Sequence, residues 1–193
     1  VSEGQFLRFY GYVFDRAAAG AYGAKSLRFV AAYSIVLYAT LALWNLPLWI
    51  ASHVGGIQLS PFAIVMWNKA LILAACVLCA SVLYRTGLRL DMPPARARWM
   101  AFAFLTSPFV TFGALMFGQF DLLSVLLTLL AIAAYLQRRL YRFSMLMALA
   151  MCFKELPILM FVPLVLLVEK RALHIIKFLA IGCALVVVQR AVF

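Results

Sequence analysis

Long apolar runs, separated by short polar interruptions, fill most of the chain. Three of them, Leu27–Ser52, Phe62–Tyr84 and Trp99–Phe117, approach or exceed the roughly 20 residues that cross about 30 Å of hydrocarbon. A shorter fourth run covers Leu122–Leu136, and a last run reaches Phe193. The pattern predicts an all-α, polytopic transmembrane helical bundle with about five full spans. A β-barrel would instead alternate in polarity over segments of about ten residues.

Residues 1–26 are more polar and more aromatic than the rest, so we predict an interfacial or loop segment there. The transmembrane helical domain is predicted to occupy residues 27–193. Because the chain starts with Val1 rather than Met and its last apolar run stops abruptly, we expect a fragment of a longer protein.

Composition supports a membrane protein. Of the 193 residues, 67% are hydrophobic and 12% are charged, which is outside the range of soluble globular domains. The formal net charge of +11 comes from 17 Lys and Arg against 6 Asp and Glu, and the basic residues sit in short loops. The positive-inside rule explains that placement, so no nucleic-acid partner is inferred. The four cysteines fall within apolar runs and are predicted to pack there.

The basic loops predict a topology. With Lys25 and Arg28 placed on the cytoplasmic side, loops 85–98 and 137–142, which are rich in arginine, also return to the cytoplasm. Loop 53–61 and the short "GQFD" connection emerge outside, and neither contains Lys or Arg. Four consecutive loops therefore agree with one orientation.

The segment 143–168 is apolar except for "KELP" at 154–157. As a single span it would place the basic residues that follow it outside, against the positive-inside rule. As a re-entrant pair of short helices it returns them to the cytoplasm. Pro157 disfavours helix at the residue before it, so the re-entrant pair is the favoured interpretation. Such a break within a membrane must be buried in protein or line a watery cavity.

Polar side chains gather at the predicted outer half of the bilayer. Since Leu122–Leu136 rises only about 22 Å, "GQFD" is expected at or inside the edge of the hydrocarbon. The set comprises Gln119, Asp121, Asn68, Lys69, Lys154 and Glu155. Ionisable groups in a membrane cost several kcal/mol unless they are paired or hydrated, which makes them functional candidates. We predict that they face one shared cavity.

Plainer roles compete with this prediction. Asp121 could serve only as a helix N-terminal acid, satisfied by free backbone N–H groups and the helix dipole. Lys154 could form a salt bridge with Glu155 or Asp121 that merely holds the turn. Lys69 could extend its ammonium toward the interface. Glu155 could pair with Lys154 or contact a polar substrate, and the sequence does not separate these alternatives.

Motifs of soluble enzymes are absent from the sequence. It contains no GxGxxG, Walker, GxSxG or HExxH pattern, and no Cys/His spacing suited to a metal. We therefore predict no metal site and no cofactor.

The stretch from Trp67 to Arg171 resembles the GT-C glycosyltransferases, a family of multi-span membrane enzymes. Members carry a Pro-containing span, then G-Q-[F/Y]-D or a related sequence, an apolar run and a basic turn. A further apolar run ends in Lys, and a proline-bearing segment follows it. The matching positions are Pro108, Gly118-Gln119-Phe120-Asp121, Arg138-Arg139, Lys154 and Pro163.

The resemblance implies an enzyme that transfers a sugar, mannose or glucose for example, from a polyprenyl-phosphate donor. The acceptor would be lipid-linked or surface glycan, and membrane lipid would surround the enzyme. The site would face the extracytoplasmic side of a bacterial plasma membrane, or of the endoplasmic reticulum in a eukaryote. Lys154, with Lys69 as a second candidate, would hold the phosphate, and Gln119 would bind sugar or phosphate. Asp121 would orient the acceptor or Lys154.

The expected catalytic base is the main departure from this family. Members usually carry a catalytic Asp in a long extracytoplasmic loop after the first span, whereas Asp15 falls on the predicted cytoplasmic side. We expect the base to lie in a preceding part of the chain; otherwise Asp121 substitutes, or the chain alone is inactive. A secondary transporter and a non-catalytic membrane assembly subunit are the alternative functions.

Overall fold

The computed structural model describes residues 35–116 and 119–192. Several predicted features lie outside the described residues: the interfacial segment 1–26, Asp15, Lys25, Arg28 and the start of the first predicted span. The described helices are α1 Ile35–His53, α2 Pro61–Arg89, α3 Pro94–Leu105, a π-helical segment Phe109–Met116, α4 Asp121–Leu136, α5 Leu140–Phe153, α6 Ile158–Val168 and α7 Ala172–Val192. The described part of the chain contains no strand, which confirms the all-α prediction.

Among the described residues, three helices are long and apolar enough to cross a membrane: α1, α2 and Ala172–Gln189 of α7. Helices α4, α5 and α6 are apolar but shorter. The outward surface is also apolar, with Leu43 72% exposed and Leu173 80% exposed. Large exposed apolar surfaces indicate contact with lipid or protein rather than water. The structure therefore indicates a membrane protein with three candidate spans in its described part, and the further two of the five predicted full spans stay a prediction.

The predicted third span, Trp99–Phe117, is not one continuous α-helix. Helix α3 ends at Leu105, and the chain resumes a helical path as the π segment Phe109–Met116. Pro108 lies at the junction, and its ring disfavours helical backbone at Ser107 while it supplies no N–H of its own. The proline that marked this span in the sequence thus divides it.

The predicted basic loop 85–98 is also shorter than expected. Helix α2 continues to Arg89 and α3 begins at Pro94, so the arginines lie on helix ends rather than in a long loop. Gly87 is buried where the two helices cross, and a Cβ there would lie 3.1 Å from the Cβ of Ala97. This close approach holds α2 and α3 in a tight helical hairpin.

The predicted break at 154–157 is confirmed. Helix α5 ends at Phe153, Lys154 has extended backbone angles of φ −151° and ψ 139°, and α6 begins after Pro157. The chain also reverses, because Nζ of Lys177 in the first turns of α7 lies 2.6 Å from the hydroxyl oxygen of Tyr141 at the start of α5. Helix α6 therefore leads back toward the end at which α5 began, as a re-entrant pair requires.

Two apolar clusters meet on α4 and fix its position. One joins α4 to α5, α6 and α7, and in it the rings of Phe143 and Phe161 lie 5.5 Å apart between centroids. The other joins α4 to α2 and the π segment, and includes Cys76 and Cys79. Both cysteines are almost completely buried free thiols, in agreement with the predicted packing role.

A reciprocal polar contact joins α1 to α2, and we call its four residues the Trp–Asn clasp: Trp44, Asn45, Trp67 and Asn68. Each indole N–H donates to the backbone carbonyl of the other tryptophan, at 3.0 and 2.9 Å. Each side-chain amide donates to the other asparagine, at 3.0 and 3.3 Å. The rings stack with centroids 5.0 Å apart. Asn68 thus belongs to a helix–helix contact and not to the predicted polar cavity.

The clasp predicts non-additive effects of its asparagines. Asn68→Leu leaves the Asn45 amide without its inter-helix partner and should lower the free energy of unfolding by about 1 kcal/mol, within the range of polar contacts between membrane helices. Asn45→Leu/Asn68→Leu should recover most of that loss, because both polar groups are then removed. Unfolding in mixed detergent micelles measures both. A double variant that loses the sum of the single losses would contradict the pairing.

Candidate functional site

A cavity of about 440 Å³ lies between the π segment, α4 and the break that follows α5. Asp121 at the start of α4 and Lys154 at the end of α5 both line it, as does Gln119. Residues from the two interruptions of the apolar pattern thus face one cavity, as the sequence predicted. This juxtaposition defines the candidate site.

Asp121 and Lys154 form an ion pair across the cavity. The Lys154 ammonium lies 3.2 Å from one carboxylate oxygen of Asp121 and 3.0 Å from the other. Helix electrostatics favour both charges, because the N-terminal end of a helix dipole is positive and stabilises an acid, and the C-terminal end is negative and stabilises a cation. The side chains are 36% and 44% exposed, so a ligand in the cavity can reach both of them.

Gln119 reaches the same cavity from the end of the π segment. Its backbone N–H donates to the carbonyl of Gly113 at 3.3 Å. Its side-chain Oε1 lies 3.7 Å from the position that a Cβ on Gly113 would take. A Cβ there would make only an ordinary van der Waals contact, so the amide lies close beside the backbone of Gly113. Gly118 of the "GQFD" motif lies outside the described residues.

One face of α4 forms a wall of the cavity. Its lining residues are Asp121, Leu122, Ser124, Val125, Thr128, Leu129 and Ile132. Except for Leu122 they recur at helical spacing, so one face carries a carboxylate at its start and aliphatic side chains further along. From Asp121 to Ile132 the helix rises about 16 Å. The cavity is therefore elongated, with a charged end and an apolar end.

The two hydroxyl groups on this face are satisfied by protein. Ser124 is buried, and its hydroxyl donates to the carbonyl of Ala150 at 2.9 Å, which ties α4 to α5. The Thr128 hydroxyl donates to the carbonyl of Ser124 at 2.8 Å. Polar capacity available to a ligand is thus concentrated at Asp121, Lys154 and Gln119.

Two predicted site residues do not line this cavity. Lys69 is exposed on α2, next to the Trp–Asn clasp, and is not among the lining residues. Glu155 is exposed in the break, where its backbone carbonyl accepts the N–H of Ile158 at 3.0 Å. The salt-bridge partner of Lys154 within the site is Asp121, one of the two partners that the sequence allowed.

Several residues of the site were not predicted from the sequence. Phe109, Val110 and Met160 line the cavity, and nothing in an apolar run distinguishes them from lipid-facing residues. Ser124 and Thr128 did carry a signal, since they follow Asp121 at three and seven residues and hence share its helical face.

Fold and site together define the class of the protein: a helical membrane protein with an ion pair and an amide at the end of an apolar cavity. Comparison with known proteins adds no narrower identity. No protein-family model matches the chain, no curated protein matches it, and no solved structure matches it.

Proposed function

We propose that the protein is a membrane glycosyltransferase that moves a sugar from a polyprenyl-phosphate donor to a lipid-linked or surface acceptor on the extracytoplasmic side. The observation that carries this proposal is the meeting of Asp121, Lys154 and Gln119 at one end of an elongated apolar cavity. The resemblance to GT-C glycosyltransferases, on the same residues, supplies the reaction class.

The donor is an amphipathic molecule, and the cavity is amphipathic in the same sense. Aliphatic side chains such as Val125, Leu129 and Ile132 suit a prenyl chain. The Lys154 ammonium suits the phosphate, since a compact cation with three donors binds phosphate oxygens strongly. The Gln119 amide offers both donors and an acceptor to sugar hydroxyls or to phosphate.

In the reaction, an acceptor hydroxyl attacks the anomeric carbon of the donor sugar. A new carbon–oxygen bond forms, and the bond between that carbon and the phosphate oxygen breaks. The polyprenyl phosphate leaves with the electron pair, and the hydroxyl proton passes to a carboxylate base. Asp121 is the carboxylate that lies at the cavity among the described residues, and it either receives this proton or orients Lys154.

Lys154 then stabilises the charge that develops on the departing phosphate. A positioned cation at such a place contributes about 10²–10³-fold to the rate. The ammonium can exchange from the Asp121 carboxylate to the phosphate because both side chains of the pair are partly accessible from the cavity. The pair therefore holds the ammonium in place without preventing ligand binding.

A transfer assay tests the proposal. The protein is reconstituted in proteoliposomes with polyprenyl-phosphate mannose or glucose, labelled in the sugar, together with a lipid-linked glycan acceptor. We expect labelled acceptor to appear in step with released polyprenyl phosphate, and no transfer from a water-soluble nucleotide sugar. Folded, inserted protein that transfers sugar from none of these lipid donors would contradict the proposal.

A secondary transporter is the second candidate, favoured by one observation. Broken membrane helices with ionisable residues at the break are typical of transporters, and Lys154 lies at such a break between α5 and α6. Uptake of a labelled solute into the same proteoliposomes, without sugar transfer, would favour the transporter. A non-catalytic assembly subunit is expected to show neither activity.

A further inference from the structure

A second cavity, which we call the basic pocket, lies at the opposite end of α4 from the candidate site. It has a volume of about 380 Å³ and is lined by Arg138, Arg139, Leu140, Tyr141, Arg142 and Phe178. Because α4 rises about 24 Å between the two, the basic pocket is separate from the cavity that contains Asp121.

The basic pocket is built by two helices that are far apart in sequence. Lys177 on α7 donates from Nζ to the hydroxyl oxygen of Tyr141 on α5 at 2.6 Å, and the same nitrogen lies 5.0 Å from the centre of the tyrosine ring. The rings of Tyr141 and Phe178 pack edge to face at 5.2 Å. Tertiary packing therefore fixes Phe178 of α7 against residues 138–142, which supply the other five lining residues.

Arg138 occupies a backbone position that usually belongs to glycine. Its φ of +59° is left-handed. The N–H of Arg138 donates to the carbonyl of Tyr135 at 2.9 Å, and the N–H of Arg139 donates to the carbonyl of Ala134 at 3.0 Å. These two hydrogen bonds form a Schellman motif at the end of α4. Glycine adopts this conformation without strain. Strained non-glycine positions are enriched at binding sites, so the arginine here points to a function.

The positive charge around the basic pocket is not balanced by carboxylates. Residues 138–142 and 169–177 contain six Lys and Arg but one acid, Glu169. No ion pair joins these six cations to a carboxylate within the described residues. Glu169 itself is occupied, since the backbone N–H of Arg171, the side chain of His174 and the N–H of Lys170 hydrogen-bond to it and hold its pKa below the usual range.

We propose that the basic pocket binds the headgroup of an anionic phospholipid. Arginine forks bind phosphate oxygens in pairs, and Tyr141, which also lines the pocket, adds a hydroxyl that is hydrogen-bonded to the Lys177 ammonium. Basic pockets between membrane helices on one side of the bilayer favour such headgroups. Next to the pocket, Leu173 and Ile176 of α7 are 80% and 63% exposed and provide an apolar surface for the acyl chains.

The positive-inside rule accounts for the positive charge of these loops but not for the pocket that they form. Orientation during insertion depends on the number of basic residues and requires neither a pocket nor a strained arginine. Lipid binding at the basic pocket is independent of sugar transfer at the candidate site, so one can be absent while the other is present.

Lipid binding to the purified, detergent-solubilised full chain tests the proposal. A fluorescent phosphatidylglycerol is titrated, with fluorescent phosphatidylcholine as the neutral probe. We expect one saturable site for phosphatidylglycerol and none for phosphatidylcholine. Arg139→Gln/Arg142→Gln should weaken binding at least tenfold, since each basic residue near the surface contributes about fivefold. Arg138→Gly, which removes a charge while it relieves the backbone, should weaken binding about fivefold and keep the fold.

Arg89→Gln is the matched control, because it removes one exposed arginine on α2 that does not line the basic pocket. It should change affinity less than twofold. Equal losses in this control and in Arg138→Gly would overturn the proposal in favour of diffuse surface attraction. Complete competition by millimolar glycerol phosphate would also overturn it, because the site would then take a soluble phosphate. Equal binding of phosphatidylglycerol and phosphatidylcholine would likewise overturn the proposal.

Discussion

Lys154→Met is expected to lower the rate of sugar transfer by about 10²–10³-fold while the protein still folds and inserts. The lysine ammonium is the cation that the structure places at the charged end of the cavity, 3.0 Å from Asp121. Methionine retains much of the side-chain length and removes the charge. The transfer assay measures the rate, and protease protection of the inserted protein measures insertion.

A matched control separates this effect from a general loss of charge. Lys170→Met removes an exposed lysine outside the cavity and should leave the transfer rate within about twofold of wild type. Asp121→Ala should lower transfer strongly as well, since it removes both the ion-pair partner of Lys154 and a carboxylate that lines the cavity. Wild-type rates in both site variants would contradict the assignment of the site.

Charge reversal distinguishes a ligand-binding lysine from one that only holds the turn. In Asp121→Lys/Lys154→Asp the two charges change places and can still attract each other. If the pair only joins α4 to the end of α5, this double variant should recover what the single changes lose. If Lys154 binds the departing phosphate, transfer should stay low, because a carboxylate then occupies its position. Recovery of transfer would therefore support the purely structural role.

Phe161→Ala is expected to produce the largest loss of stability, about 3 kcal/mol in the free energy of unfolding. The ring of Phe161 is completely buried and packs against Phe143 on α5. A Cβ added to Gly182 on α7 would overlap the same ring. Phe161 therefore connects the returning helix α6 to both of its neighbours. Unfolding in mixed detergent micelles gives the free energy, and loss of the ring removes contacts that lipid does not replace.

Leu159→Ala is the control for this prediction. Leu159 lies on the same helix, two residues earlier, and is 72% exposed. Its truncation should change the free energy of unfolding by no more than about 0.5 kcal/mol.

The Phe161–Gly182 contact also predicts that the effect of Gly182→Ala on stability changes sign when Phe161 is truncated. Gly182→Ala should destabilise the wild type, because the new methyl group enters the volume of the ring. In Phe161→Ala it should be neutral or stabilising, since the same methyl group then fills part of the cavity. Additive effects of the two changes would show that α6 does not pack against α7 as described.

Several parts of the fold were predictable because they depend on local chemistry. Apolar runs of helical length specify helices that can lie in lipid, and α4 begins within one residue of its predicted start. The break before Pro157 was predictable because proline restricts the residue before it and cannot donate to a helix. Pro108 carries the same restriction, yet the sequence did not reveal that Phe109–Met116 would continue as a π-helix.

The candidate site was predictable in part for a related reason. Charged and amide side chains within apolar runs must find partners or water, so Gln119, Asp121 and Lys154 stand out in the printed sequence. The same cost applies to every polar side chain within an apolar run, so the sequence also indicated Asn68 and Lys69. Asn68 instead satisfies its amide with Asn45 in the Trp–Asn clasp. Which polar groups share a cavity depends on how each helix is rotated about its axis relative to its neighbours. The hydrophobic pattern of a single sequence does not determine that rotation.

The sequence by itself determined that the chain is helical, that it is suited to a membrane, and where its path is interrupted. These follow from composition, from run length and from the restrictions that proline places on its neighbours. Only the tertiary structure decided that α6 returns beside α5, that Asp121 pairs with Lys154, and that arginines from the end of α4 meet α7 at a basic pocket. Those outcomes depend on contacts between residues on different helices, whose geometry is set by the packing of large buried side chains such as Phe143 and Phe161.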